Sequence, residues 1–168
     1  MEQERNHTIL EILGIAIKSE VEAVKLYNRM KELTGNNDLK SKLDFLIEQE
    51  KKHERILTEA YKKKFPETQL VLPKKSLVPA IEEKLAKDAG LKKLFDAALE
   101  AEKKSQEFYE DLASKTNDQN SKKMLHYLSS MEKSHYSILE AEYAQLLSTE
   151  EYNTDEFLRG DRLMNIGP

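Results

Sequence analysis

The sequence contains Glu50-Lys51-Lys52-His53 and, farther along, Glu132-Lys133-Ser134-His135. Both are Glu-x-x-His motifs. Residues three apart on a helix lie on one face with side chains about 5–6 Å apart, so each pair can bind one metal ion. A single motif of this kind on a charged helix is more often a solvated surface pair. A metal site is therefore indicated only if the two motifs belong to one framework.

That framework is an internal repeat with an offset of 82 residues. At this offset, 13 of the 46 positions from Ala16 to Tyr61 are identical without a gap, where chance would give about three or four. Most identities fall on the apolar stripe of the predicted helices, and they include both Glu-x-x-His motifs. Packing would repeat Leu and Ala but does not require Glu and His to repeat. The repeat therefore predicts two facing copies of one helical hairpin around a pseudo-twofold axis.

The repeat also pairs two glutamates on the apolar stripes, Glu20 with Glu102, and two tyrosines, Tyr27 with Tyr109. One Glu from each of two helices plus a Glu-x-x-His from each of the other two is the ligand set of carboxylate-bridged metal pairs in bundle cores. The tyrosines follow the glutamates by two helical turns. Their hydroxyls either donate to carboxylates of the opposite hairpin or pack as ordinary core. The predicted metal ligands are Glu20, Glu50, His53, Glu102, Glu132 and His135.

Charge supports a metal pair in this predicted core. Four buried carboxylates would repel one another and be poorly solvated unless they were protonated or paired. Two divalent cations balance four negative charges, and two imidazoles complete the coordination. Oxygen and nitrogen ligands without sulfur favour iron or manganese, with zinc as an alternative.

Four stretches with helical periodicity predict an all-α fold, a four-helix bundle. They span about residues 7–33, 38–64, 91–116 and 121–147, and short turns join the first to the second and the third to the fourth. Pro66, Pro73 and Pro79 interrupt the middle connection, where a short helix is expected over about 80–88. This predicts two antiparallel hairpins joined by a long crossover. Residues 1–148 form the predicted domain, and 149–168 a polar tail with at most one short helix.

Composition narrows the function classes. The 168 residues carry a net charge of −4, which does not favour nucleic acid as a partner. The sequence has no Cys, so it can form no disulfide, thiolate metal site or iron–sulfur cluster. The beginning, Met1 to His7, lacks a signal-peptide pattern, and no apolar run is long enough to span a membrane. We expect a cytoplasmic protein without a membrane partner.

Several polar and sulfur-containing residues lie outside the repeated constellation. His7 and His126 have no counterpart under the repeat and are expected at the surface. Four glutamates near the predicted ligands point to other helix faces, so we expect solvent exposure for Glu22, Glu48, Glu54 and Glu100. Three methionines are expected to fill the core rather than to bind haem: Met30, Met124 and Met131.

The sequence resembles the rubrerythrin-type branch of the ferritin-like superfamily over about residues 8–147. The resemblance is carried by Ala16-Ile17-Lys18-Ser19-Glu20 through Tyr27, by Ala98-Leu99-Glu100-Ala101-Glu102 through Tyr109, and by the two Glu-x-x-His motifs. It implies a di-iron centre, commonly in a homodimer. The bridging carboxylates would be Glu50 and Glu132, and the terminal ligands Glu20 and Glu102. His53 and His135 would each bind one iron.

The resemblance implies either reduction of hydrogen peroxide or oxidation of ferrous iron by oxygen. A rubredoxin domain, usual in rubrerythrins, needs cysteines that are absent here, so a peroxidase would need an external electron donor. Rubrerythrins also resemble one another in an extra Glu one turn after the third-helix ligand, where this chain has Ser105. Three functions therefore stay open: a peroxide-reducing di-iron enzyme, a ferroxidase or iron-storage protein, and a bundle whose metal is structural.

Overall fold

The computed structural model describes residues 9–74, 77 and 89–163, with side chains as far as Thr149. Four helices form the described part of the chain: α1 (Ile9–Leu33), α2 (Asn37–Lys64), α3 (Leu91–Lys115) and α4 (Gln119–Leu163). α1 packs mainly against α2, α3 packs mainly against α4, and α1 also packs against α3. The predicted four-helix bundle is confirmed. The short helix expected over residues 80–88 and the surface position expected for His7 lie outside the described residues.

The hairpin turns begin α2 and α4 with equivalent side-chain caps. Asn36 Oδ1 accepts hydrogen bonds from the backbone N–H groups of Asp38 at 2.8 Å and Leu39 at 3.1 Å. Asp118 Oδ2 accepts from the N–H of Ser121 at 2.7 Å. Such caps satisfy backbone donors that the first helical turn leaves without a partner. Asn36 and Asp118 are themselves 82 residues apart, so the repeat extends to the helix starts.

Two apolar clusters lie towards opposite ends of the bundle. The first joins the second half of α1 to the first halves of α2 and α3, and includes Leu26, Leu43, Phe95 and Leu139. The second includes Ile17, Leu57, Ala113 and Leu128. The first halves of α2 and α3 share a cluster, so these helices run in the same direction. Lys64 at the end of α2 and Leu91 at the start of α3 therefore lie at opposite ends of the bundle.

The connection approaches α1 closely at Gly14. A Cβ atom at Gly14 would lie 3.2 Å from Cδ of Pro73, so a larger side chain would press on the connection. One turn later along α1, the Lys18 ammonium donates to the backbone carbonyl of Lys74. These contacts hold residues 73–74 over the outer side of α1.

α4 extends farther than the sequence predicted. We expected it to end near Leu147, yet the helix continues to Leu163. The predicted end was wrong because residues 148–159 contain neither Gly nor Pro, and a polar composition alone does not stop a helix. None of the described helices is long and apolar enough to cross a membrane.

Candidate metal centre

A layer of polar side chains separates the two apolar clusters. All six predicted ligands lie in it, and each is at most 2% exposed: Glu20, Glu50, His53, Glu102, Glu132 and His135. They come from all four helices, as the repeat requires. The structure therefore brings the whole predicted set together, while its metal binding stays a prediction.

Glu50 and Glu132 each face both histidines. Glu50 places Oε2 3.1 Å from Nδ1 of His53 and Oε1 2.8 Å from Nδ1 of His135. Glu132 places Oε1 3.0 Å from Nδ1 of His53 and Oε2 3.8 Å from Nδ1 of His135. The two imidazole rings are stacked with centroids 5.4 Å apart. A carboxylate that turns one oxygen towards each of two histidines has the geometry expected of a bridging ligand.

Glu20 and Glu102 each face one histidine. Oε2 of Glu20 lies 3.7 Å from Nδ1 of His53, and Oε2 of Glu102 lies 3.5 Å from Nδ1 of His135. This is the arrangement expected of terminal ligands. The site therefore divides into two pseudo-symmetric halves, one containing Glu20 and His53 and the other Glu102 and His135.

The two tyrosines cross-link the hairpins. The hydroxyl of Tyr27 donates to Oε1 of Glu102, and the hydroxyl of Tyr109 donates to Oε1 of Glu20. Both tyrosine side chains are fully buried. Of the two alternatives that the sequence left open, the contacts agree with hydrogen bonding to the opposite carboxylates.

Protons offset the negative charge of the carboxylates in the metal-free cluster. Burial alone would lower the pKa of both histidines, but the neighbouring glutamates outweigh it and raise the pKa to about 9 for His53 and about 10 for His135. Burial, with the charge of Glu50, raises the pKa of Glu20 to about 8. Burial and the surrounding carboxylates raise the pKa of Glu132 well above its ordinary value. Protonated imidazoles thus supply positive charge, and protonated carboxyls remove negative charge, in the place of a metal pair.

Glu50 behaves in the opposite way. Burial would raise its pKa, but the neighbouring imidazoles of His135 and His53 outweigh burial and lower the pKa to about 2. The carboxylate between the two histidines therefore stays ionised in the metal-free protein.

The donor atoms lie close together without forming a complete hydrogen-bond network. One potential ligand atom from each of Glu50, His53, Glu132 and His135 lies within 4.8 Å of the others. Several buried atoms lack a hydrogen-bond partner among the described residues: Glu50 Oε1, His53 Nε2, Glu102 Oε2, Glu132 Oε1, and both ring nitrogens of His135. Buried polar atoms are normally paired. Several oxygen and nitrogen atoms of the cluster lie within 4 Å of one another but are not oriented for hydrogen bonds between them. Ligands that point at a shared ion have this arrangement, so the residues present fit a metal pair.

A small cavity adjoins the cluster between α1 and α3, and we call it the α1–α3 cavity. Its volume is about 10 Å³, about enough for one water molecule. Its lining includes Glu20, Glu22, Leu77, Glu102, Ser105 and Glu132. Ser105, which stands where the extra glutamate was expected, is buried here.

The expected exposure of Glu22 was wrong. The residue is 3% exposed, and neither carboxylate oxygen accepts a hydrogen bond from a described residue. The Lys18 ammonium lies 3.3 Å from Oε1. Glu22 is off the inward stripe of α1, so helical periodicity could not reveal its burial beside the α1–α3 cavity.

The structure agrees with some of the other expectations for single residues and not with others. His126 and Glu48 are exposed, whereas Glu54 and Glu100 are half-buried. Met30 is fully buried, in agreement with core packing. Met124 and Met131 are half-buried.

One neighbour of the site was missed. The ring of Tyr127 meets the ring of His53 edge-on, with centroids 6.4 Å apart, and its hydroxyl accepts a hydrogen bond from Lys52. The repeat could not flag Tyr127, because its counterpart 82 residues earlier is Phe45.

Comparisons with known proteins agree with this geometry. A sequence model of the Rubrerythrin family matches residues 11–143, more than half of the chain. A solved structure described as a hypothetical protein from Pyrococcus furiosus is 30% identical, with a TM-score of 0.74, and the match covers 88% of this chain and 95% of that one. No curated protein matched. With a helical bundle, a buried Glu/His cluster and this family match, the chain belongs to the rubrerythrin family.

Proposed function

We propose that this protein is a di-iron carboxylate oxidoreductase that reduces hydrogen peroxide to water with electrons from an external donor. The observation that carries the proposal is the buried cluster in which Glu50 and Glu132 each face both His53 and His135. Two divalent ions would balance its four carboxylates. Manganese and zinc are the alternative metals, because donor atoms of this kind do not select iron by affinity alone.

The reaction is balanced by two electrons and two protons, which convert one peroxide into two waters as the O–O bond breaks. Glu20, Glu50, His53, Glu102, Glu132 and His135 would hold a pair of ferrous ions, which would supply the two electrons for this cleavage. The residues hold the reacting centre in place. Tyr27 and Tyr109 fix the carboxylates of Glu102 and Glu20, and the apolar clusters on both sides exclude bulk water.

The size of the α1–α3 cavity favours a small oxidant. About 10 Å³ beside three of the predicted ligands holds about one water molecule and is far too small for an organic substrate. This supports peroxide or oxygen as the oxidant over a larger molecule.

The electron donor must come from outside these residues. The sequence has no Cys and therefore no rubredoxin-type iron site. We propose a separate one-electron donor protein as the partner and a homodimer as the working assembly.

Stopped-flow absorbance tests this function directly. Anaerobic protein that holds two ferrous ions per chain is mixed separately with peroxide and with oxygen. We expect faster oxidation by peroxide. Faster oxidation by oxygen would favour the ferroxidase function, and tight iron binding without oxidation by either would favour a structural metal.

A further inference from the structure

Burial of the Glu22 carboxylate is energetically unfavourable, and the packing of the fold alone does not explain why this residue is buried. Glu22 is 3% exposed, and neither carboxylate oxygen accepts a hydrogen bond from a described residue. Burying a carboxylate without hydrogen bonds is strongly unfavourable, and the Lys18 ammonium at 3.3 Å from Oε1 offsets only part of that cost.

The α1–α3 cavity places Glu22 beside predicted metal ligands. Its lining contains Glu22 together with Glu20 and Glu102, the two terminal carboxylates, and Ser105. Glu22 therefore lines the same small space as one carboxylate from each half of the site. Leu77 also lines the cavity.

A cation that moves into the buried centre meets a high desolvation barrier. The predicted ligands are at most 2% exposed, and a cavity of about 10 Å³ leaves no room for a full hydration shell. A bare divalent ion in such surroundings is stabilised only where fixed negative charge replaces its water. Glu22 supplies this charge next to the ligands.

We propose that the α1–α3 cavity is the cation-uptake site of the protein. Glu22 takes a divalent cation from solvent in exchange for the Lys18 ammonium and passes it to Glu20 and Glu102. No bond changes other than metal–oxygen coordination. The proposal rests on the metal centre of the proposed function and adds the path by which that centre fills.

A purely structural role for Glu22 makes different predictions. Lys18 contacts Glu22 and also donates to the carbonyl of Lys74, so Glu22 could simply hold the connection against α1. In that case its removal would lower stability without a specific effect on the rate of metal uptake.

The test uses the full metal-free chain and Co²⁺ alone as the probe, with uptake followed by stopped-flow absorbance and release by mixing with a chelator. Glu22→Gln should slow uptake about tenfold or more. It should also slow release, because a residue that passes the cation into the site also passes it out. Loss of a ligand or of a nearby negative charge would instead speed release. Lys18→Met should speed uptake, because it removes the competing ammonium.

Glu48→Gln is the matched control. Glu48 is an exposed carboxylate on α2 that pairs with Lys51 at 2.8 Å, and its loss should leave both rates within twofold of wild type. If Glu22→Gln took up Co²⁺ at the wild-type rate, or released it faster than wild type, the role of Glu22 in uptake would be overturned. The metal centre itself would remain supported. Failure of the wild-type chain to bind two Co²⁺ would overturn the metal centre and the role of Glu22 together.

Discussion

The hydroxyl of Tyr109 on α3 donates a hydrogen bond to the carboxylate of Glu20 on α1, in the opposite hairpin. The pseudo-twofold counterpart joins Tyr27 of α1 to Glu102 of α3. Each terminal carboxylate is thus held by the hairpin to which it does not belong. The two bonds link the stability of the bundle to the geometry of the site.

Removal of one of these tyrosine hydroxyls should lower both the stability of the bundle and the affinity of the site for metal. Tyr109→Phe leaves a buried carboxylate without its donor, so we expect a loss of about 1–3 kcal/mol in the free energy of unfolding and weaker metal binding. Chemical denaturation and a metal titration measure the two effects. Tyr136→Phe, at a half-buried position of α4 outside the site, should change neither. Unchanged stability and affinity in Tyr109→Phe would refute this role.

Glu132 should lower the stability of the metal-free protein and contribute to metal binding. Burial and the neighbouring carboxylates raise its pKa, so the folded metal-free chain must bind a proton that the unfolded chain releases near neutral pH. Glu132→Gln removes that cost and should stabilise the metal-free protein. It should also abolish the rise in melting temperature that metal produces in wild type. Calorimetry with and without Mn²⁺ measures both, and a less stable metal-free variant would contradict the prediction.

The metal-free protein should lose stability as pH rises. The pKa of His53 and His135 rises to about 9 and about 10, so their stabilising protonation is complete below their ordinary value of 6.5 and is lost as pH rises through 9 to 10. Glu20, with a pKa of about 8, adds to the loss between about 4.5 and 8. Glu50, with a pKa of about 2, acts oppositely and only below about 4.5.

Metal should reverse this trend. Because the cation displaces protons from the same groups, the stabilisation produced by saturating Mn²⁺ should grow from pH 6 to pH 9. Melting curves at constant ionic strength test both trends. A metal-free melting temperature that rises over this range would show that these groups do not control it.

The two halves of the site should respond alike to loss of a histidine. His53→Ala removes the histidine of the half that contains Glu20, and His135→Ala does the same for the half with Glu102. Each variant should keep one tight Mn²⁺ and lose or greatly weaken the other in equilibrium binding. His126→Ala, at an exposed position, should keep both. Loss of both ions from only one histidine variant would contradict the pseudo-symmetric arrangement.

The sequence predicted which six polar side chains are buried together better than it predicted where the helices end. The offset of 82 residues identified six polar side chains that meet in one layer, because a repeat preserves inward-facing positions whatever their chemistry. Burial of Glu22 was missed because it lies beside the α1–α3 cavity, off the apolar stripe that the periodicity of α1 reveals. The contact between Tyr127 and His53 joins positions on two different helices and has no equivalent at Phe45. The end of α4 was missed because residues 148–159 contain no residue that stops a helix.

We propose above that two metal ions bind between these four helices. Anomalous diffraction at the iron edge, from crystals grown with ferrous iron under anaerobic conditions, tests this directly. We expect two peaks about 3.5–4 Å apart. Both should lie between Glu50 and Glu132, one beside His53 and the other beside His135. A single peak, or peaks only at surface carboxylates, would contradict it.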